Sequence, residues 1–167
     1  MAGIKFATPQ GLKAECNEFD AITVCRLRHP TARMELSVLS GPWDALMKAA
    51  TQTSVRYFPP EGKAMTDKDR EMLGRTFLGA VKADLDASLA GEGQEPSRIA
   101  EEHKGRTTAG YVFLSQILES DGGVAQGTSV VFDPGAMRAA LVAFRSAAAH
   151  VADVKKWSDA VGQSIGF

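Results

Sequence analysis

Residues 22–39, ITVCRLRHPTARMELSVL, alternate apolar and polar side chains on both sides of a turn signal at residues 29–32. Such alternation is typical of strands with one face on the core, and His-Pro-Thr-Ala is a composition typical of turns. Pairing the strands across this turn puts side chains of one face opposite each other: Leu27 with Met34, Cys25 with Leu36, and Thr23 with Val38. On the outer face, Arg26 lies opposite Glu35. The stretch therefore predicts a β-hairpin.

A second hairpin is predicted upstream, with residues 9–11, Pro-Gln-Gly, as its loop. Glycine supplies the positive φ that such a loop needs. Its predicted pairs are Ile4 with Cys16, Lys5 with Glu15, and Phe6 with Ala14. The two hairpins together predict a four-stranded antiparallel sheet in which Cys16 and Cys25 point inward as reduced, inert thiols. Because Ile22 and Leu39 meet on the outer face, we expect a helix to cover that end.

Two helices are predicted after the sheet. Proline in the first turn and Asp44 near the positive end of the dipole predict a short helix from about residue 40 to Thr53. Thr66 and Asp69 resemble a capping arrangement, and apolar residues then recur at helical spacing up to Leu89. Between these helices, residues 55–58 have strand composition and are followed by Pro-Pro-Glu-Gly, which marks a possible seam at 59–65.

The C-terminal half is predicted to be mostly helical. A helix is predicted to begin near Ser97, and the apolar run at 107–118 fits either a buried helix or a buried strand, of which we choose the helix. Residues 129–132 have strand composition. Asp133 and the following proline resemble the start of a long alanine-rich helix, residues 134–161, whose small residues suit association with another helix.

These elements predict a single α+β domain, residues 1–167, with an N-terminal antiparallel sheet of four to five strands packed against three to four helices from the C-terminal half. The chain is 44% hydrophobic and 23% charged, with a formal net charge of −1, as in an ordinary globular protein. No segment is basic enough for a general nucleic-acid binder. The N-terminus has no apolar signal region and no apolar run approaches membrane-spanning length, so we expect a soluble cytoplasmic protein.

Residues 121–129, DGGVAQGTS, superficially resemble a phosphate-binding loop. The lysine that must follow the second glycine is Thr128, and the order strand, loop, helix is missing. We interpret Gly122 instead as a helix C-cap that leads into a mobile connection. No zinc, calcium or nucleophile motif is present either, so the sequence predicts no metal, no cofactor and no recognisable catalytic residue.

Two clusters of polar residues are candidate sites. Arg26, Arg28, His29 and Arg33 surround the tip of the hairpin, where opposed cations favour an anion or an acidic partner, although solvation alone is the commoner explanation. Residues 101–103, Glu-Glu-His, are the best candidate for an acid–base cluster. Such a run of charged residues more often lies on a solvated helix face.

Three functions are compatible with these features. The preferred one is a non-catalytic interaction protein that binds another protein, such as an adaptor, inhibitor, immunity-type or assembly protein, with a possible homo-oligomer through the helix 134–161. The second is a small-molecule-binding protein or hydrolase-like enzyme whose site lies between sheet and helices and uses Glu101, Glu102 and His103. The third is anion or nucleic-acid binding at the Arg26–Arg33 tip. A pocket that holds two of the residues 101–103 would favour the second function.

Overall fold

A computed structural model describes residues 4–31, 34–51 and 64–167. Within them lies one antiparallel sheet of seven strands, in the order β1-β2-β3-β7-β6-β5-β4. The strands are β1 (Lys13–Phe19), β2 (Ile22–Arg28), β3 (Glu35–Pro42), β4 (Arg98–Arg106), β5 (Val112–Glu119), β6 (Val124–Phe132) and β7 (Arg138–Ala147). The helices are α1 (Trp43–Thr51), α2 (Asp67–Gly91) and α3 (Val151–Ser164), the last preceded by a short 3-10 turn, Ala148–His150.

The helices cover both faces of the sheet. Helix α3 packs on β7, β6 and β3, whereas α1 packs on β3 and β7, and α2 packs on β5 and β6. The α3 face is built around buried residues such as Leu36, Val142 and Phe144, and the opposite face around Trp43 and Phe77. Because each strand points alternate residues to opposite faces, the central strands carry apolar residues on both sides. The result is a three-layer α+β domain.

The predicted N-terminal sheet of four to five strands is wrong. The strands span the chain, and four of the seven come from its C-terminal half. Residues 97–120, predicted as helix, form the β4–β5 hairpin, and most of the predicted helix 134–161 is strand β7. Only its end, from residue 151, is helical. Central strands that are buried on both faces give continuous apolar runs, which lack the alternation of a half-buried strand.

The first hairpin also differs from the prediction. Its strands are β1 and β2, joined at Asp20 and Ala21, and residues 9–11 lie before β1. Cys16 lies directly opposite Cys25, and the two form a disulfide. The prediction of two buried reduced thiols is therefore wrong, since Cys25 is buried but Cys16 lies on an exposed strand. Disulfides are typical of oxidising compartments, so the pair counts against the predicted cytoplasmic location.

The hairpin of β2 and β3 forms around the predicted turn, but with its register moved by two residues. Leu27 pairs with Leu36 rather than with Met34, and Glu35 pairs with Arg28 rather than with Arg26. A shift of two keeps every side chain on its predicted face, because the side-chain period of a strand is two. Ile22 and Leu39 pack against the cluster that contains α1 and α2, as expected for a covered outer face.

The two predicted helices before residue 93 are confirmed. Helix α1 begins at Trp43, and α2 begins with a capping box in which Thr66 Oγ1 accepts from the Asp69 backbone N–H while the Asp69 carboxylate accepts from Thr66 N–H. The predicted strand at 55–58 and most of the possible seam at 59–65 fall outside the described residues.

Turn chemistry explains the remaining differences. Gly122 is not a helix C-cap, since residues 120–123 form the turn between β5 and β6, with Gly123 at a φ of +75°. Asp133 starts no helix. Its carboxylate accepts from the Gly135 N–H at 2.8 Å and closes the turn between β6 and β7. Aspartate followed by proline marks a turn as readily as a helix start.

Among the described residues, no helix has both the length and the apolar composition needed to cross a membrane.

Candidate binding cleft between helix α3 and the sheet

One row of side chains crosses the α3 face of the sheet and contains one residue from each strand. Directly opposed residues of neighbouring strands share a face, so the register defines this row. From β1 to β4 its members are Cys16, Cys25, Val38, Val142, Ser129, Ser115 and His103. The middle of the row is apolar and lies under α3, whereas the three strands at the β4 end carry polar side chains.

A cleft of about 200 Å³ lies between this polar end and one side of α3. Helix α3 packs mainly on β7, β6 and β3, and so covers β4 and β5 less completely on this face. The sheet contributes five side chains to the cleft: His103, Phe113, Ser115, Ser129 and Val131. The helix contributes five residues that recur at spacings of three and four: Lys155, Ser158, Asp159, Gly162 and Gln163.

Helix α3 carries an apolar stripe and a polar stripe side by side. Val154 and Val161 are seven residues apart, point to the core and are buried. Lys155, Ser158 and Asp159 follow at i, i+3 and i+4, so they form a neighbouring polar stripe on the same helix. This amphipathic arrangement holds the helix on the sheet with one stripe and lines the cleft with the other.

Lys155 is neutralised by Glu101 of the edge strand. Lys155 Nζ donates to Glu101 Oε2 at 2.6 Å, and His103 Nε2 lies 3.5 Å from the same oxygen. The hydrogen bond from Lys155 lowers the pKa of Glu101, and the same bond raises the pKa of Lys155. Both shifts favour the charged forms, so the pair ties α3 to β4 as an ion pair over the neutral pH range.

Asp159 is in a different electrostatic situation. Desolvation raises its pKa and outweighs the attraction of Lys155 and His103, although the residue as a whole retains solvent exposure at the mouth of the cleft. Among the described residues, the Asp159 carboxylate accepts no hydrogen bond. The hydroxyls of Ser115, Ser129 and Ser158 likewise make none, although Ser158 is only 3% exposed. Polar groups held in a cleft without partners are positioned to meet the groups of a ligand.

The described part of the chain shows neither a hydrogen-bonded pair of serine and base nor a cluster of metal-type ligands. A nucleophilic serine needs a general base within hydrogen-bonding reach. His103 and Ser115 are directly opposed on neighbouring strands, but no hydrogen bond joins them in the described part of the chain. No group of three or more His, Cys, Asp or Glu side chains suited to a metal ion occurs there either.

The structure brings together two of the three residues predicted for an acid–base cluster. Residues 101–103 lie on strand β4 rather than on a helix, so Glu101 and His103 share the α3 face. Glu102 points to the opposite face and lines a groove beside α2. Phe113 and Ser115 were missed because their segment was predicted as a helix, and Ser129 and Val131, in the predicted strand 129–132, were not connected with them. The polar i, i+3, i+4 stripe of α3 was the signal that could have found the cleft residues of that helix.

The arginines of the predicted hairpin tip converge on one carboxylate. Arg28 Nε donates to Glu35 Oε2 at 2.7 Å, and Arg26 Nε lies 3.9 Å from Glu35 Oε1. His29 stacks on Trp157 with a centroid distance of 5.8 Å and an interplanar angle of 7°. Arg33 is outside the described residues. The two described arginines thus share an internal counter-ion, which lowers the need for an external anion.

Among solved structures, the chain is similar to cyanobacterial PsbP (CyanoP) from Synechocystis sp. PCC 6803, determined in solution, with a TM-score of 0.56 and 16% sequence identity. The match covers 98% of this chain and 86% of that chain. No family model matches the sequence, and no curated protein matches it. At this level of identity, the likeness shows that this chain has a PsbP-like fold and carries no further information about function.

Proposed function

We propose that the protein is a non-catalytic binding protein that holds a small molecule with an ammonium group in the cleft between α3 and strands β4–β6. The single observation that carries this proposal is the convergence of Asp159 with three hydroxyls that have no partner among the described residues. A ligand that donates hydrogen bonds and carries positive charge would satisfy all of these groups.

The charges around the cleft favour a cation over an anion. Glu101 already holds Lys155, which leaves little positive charge for an anionic ligand. Asp159 has no such partner, and an ammonium group beside it would replace the solvation that the carboxylate has lost. The His103 ring can accept a hydrogen bond from the ligand through an unprotonated ring nitrogen.

The dimensions restrict the ligand to a small one. A cleft of about 200 Å³ is below the range of roughly 300–1,000 Å³ that is typical for drug-sized ligands. Phe113 and Val131 provide an apolar wall of limited area beside the hydroxyls. A short amino alcohol has the matching combination of an ammonium group, a hydroxyl and a brief apolar chain.

The test compares three probes of equal chain length: 4-aminobutanol, 4-hydroxybutyrate and 1,4-butanediol. Thermal unfolding is measured with each probe up to tens of millimolar. We expect the amino alcohol to raise the melting temperature most, because a ligand that binds only the folded state stabilises it by mass action. Asp159→Asn should remove this preference. Asp153→Asn is the matched control, since Asp153 is an exposed residue of the same helix that does not line the cleft. Equal effects of the three probes, or an unchanged preference in the Asp159 variant, would refute the proposal.

The interaction-protein hypothesis stays a prediction, but one of its predicted surfaces has changed. Because residues 138–147 form strand β7 inside the sheet, the continuous alanine-rich helix 134–161 does not exist as a docking surface. A different surface, at the edge strand β4, is the better candidate for a protein partner.

A further inference from the structure

Helix α2 and edge strand β4 are joined by a ladder of charges. Asp67 pairs with Arg106 at 2.5 Å, and Glu71 pairs with Lys104 at 3.5 Å. Four residues of helix rise about 6.0 Å and two residues of strand rise about 6.8 Å, so the spacings nearly match over two rungs. The ladder runs antiparallel, and the hydrogen bond from Arg106 lowers the pKa of Asp67, as expected for a formed pair.

At the third position of this ladder, no ion pair is formed among the described residues. Its members are Arg75 on α2 and Glu102 on β4, and neither makes an ion pair within the described residues. Both line a groove of about 490 Å³ between the helix and the edge of the sheet. Gln116 at the base of this groove ties β5 to α2, since its Nε2 donates to the Leu78 carbonyl at 2.9 Å. The groove is therefore a fixed feature of the helix–sheet packing.

The groove combines an apolar floor with a rim of three basic residues and one acidic residue, Glu102. Leu78, Ile99 and Leu114 form the floor, and Ile99 is 46% exposed. Lys82 and Lys104 on the rim form ion pairs with Asp86 and Glu71, whereas Arg75 forms none within the part of the chain that the structure describes. An acidic side chain is the complement of Arg75, and apolar residues two positions before and after it, which share its face of an extended strand, would cover the floor.

Strand β4 offers backbone groups along the same groove. It ends the sheet in the described part of the chain, and all nine of its residues are exposed. A bulge interrupts its pairing with β5 between Ile99 and Glu101, but the register is regular from Glu101 to Arg106. An edge strand with free N–H and C=O groups accepts an extended peptide as a further strand.

We infer that β4 and the α2 groove bind an extended segment of a partner protein that carries an acidic residue with an apolar residue two positions before it and another two positions after it. The backbone of the segment pairs with residues 101–106, and its carboxylate forms an ion pair with Arg75 at the third position of the ladder. Main-chain hydrogen bonds supply affinity in this mode of recognition, and the side-chain pocket supplies specificity. The inference does not depend on which ligand occupies the α3 cleft.

The probes that test this are two capped pentapeptides, acetyl-Val-Thr-Glu-Thr-Val-amide and its counterpart with lysine in place of glutamate. Binding is followed by the backbone amide signals of ¹⁵N-labelled protein in NMR titrations. We expect the glutamate peptide to bind about fivefold more tightly, the equivalent of an ion pair of about 1 kcal/mol. The amides of residues 101–106 should shift. In Arg75→Glu the preference should reverse, whereas Lys156→Glu, an equal charge change on exposed α3, should leave it unaltered.

Three results would overturn the inference. The first is equal binding of both peptides to the unaltered protein, and the second is a set of shifts confined to the other edge strand, β1. The third concerns N-acetylglutamate amide, a small probe without a strand. If it produces the same shifts at residues 101–106 as the glutamate peptide, the groove takes a free carboxylate and edge pairing contributes nothing.

Discussion

Replacing Gly127 by alanine tests the packing between β6 and β7 on the α3 face of the sheet. A methyl group at this position would lie 2.1 Å from Phe144 Cε1 and 2.4 Å from Cζ, where carbon atoms normally approach to about 3.5–4.0 Å. Gly127 and Phe144 are directly opposed on β6 and β7, and Phe144 is only 5% exposed. The backbone of Gly127 is not in the left-handed region, so the substitution changes the contact without adding backbone strain.

The ring cannot retreat without loss, because Leu36 of β3 is opposed to Phe144 on its other side. Overpacking of a well-packed core costs about 1–3 kcal/mol, and the smaller entropy of the unfolded alanine chain offsets about 0.4–1 kcal/mol of this. We expect a net loss of about 1–2 kcal/mol for Gly127→Ala. For a chain of this length, that loss lowers the melting temperature by about 2–8 °C.

The measurement is urea unfolding followed by circular dichroism, with the denaturant slope fitted separately for each variant. Gly79→Ala is the matched control: nothing lies within 4 Å of its added methyl, and alanine in a helix interior gains up to about 1 kcal/mol over glycine. Phe144→Val removes all three ring atoms that collide, Cε1, Cζ and Cδ1, so in that background the alanine at position 127 should cost little. A cost that persists in the Phe144→Val background, or a Gly127→Ala protein as stable as the original, would refute the steric explanation.

Three further predictions concern the disulfide, Asp159 in the cleft and Glu101 beside it. Reducing the bond between Cys16 and Cys25, which closes a short loop, should lower the free energy of unfolding by up to about 2.5 kcal/mol; urea melts with and without reductant measure this, and a thiol assay that finds two free thiols in the unreduced protein would contradict it. Asp159→Asn should stabilise the protein increasingly as pH rises above the unfolded pKa of 3.8, because a raised pKa in the folded state gives stability that is lost as pH rises through that pKa. Glu101→Gln should have the opposite sign, with a loss that grows as pH rises toward and above 4.5, since the folded pKa of Glu101 is lowered. Urea melts from pH 3 to 7 test both, and a pH-independent difference from the unaltered protein would contradict the explanation.

Elements with strong local signals were predicted well. Helix α2 has its capping box at Thr66 and a regular apolar spacing, and both signals lie within its own residues. The turn between β2 and β3 was found from proline and from alternation on either side. The register could not be fixed in the same way, because a shift of two residues keeps the same face inward and only the turn geometry and tertiary packing separate the alternatives.

The helical prediction for the C-terminal half failed because residue spacing alone is ambiguous in buried strands. Turn chemistry carried the missing information. Residues 107–110, Thr-Thr-Ala-Gly, and residues 120–123, Ser-Asp-Gly-Gly, have a hydroxyl residue first and glycine fourth. In both, the amide of the fourth residue donates to the carbonyl of the first, and the glycine has a positive φ of +86° or +75°. Two such turns thirteen residues apart indicate two consecutive hairpins. The segment between the turns is then a strand rather than a helix.

Whether residues 101–103 lie on a helix or a strand also determines their chemistry. On a helix, neighbouring side chains diverge, and Glu101 and His103 would not meet. On strand β4 they share the α3 face and approach to 3.5 Å, while Glu102 points to the α2 groove. One edge strand thus supplies alternate residues to two separate surfaces. A change at Glu102 is therefore expected to affect peptide binding at the groove while leaving the ion pair with Lys155 intact, because that pair lies on the opposite face of the sheet.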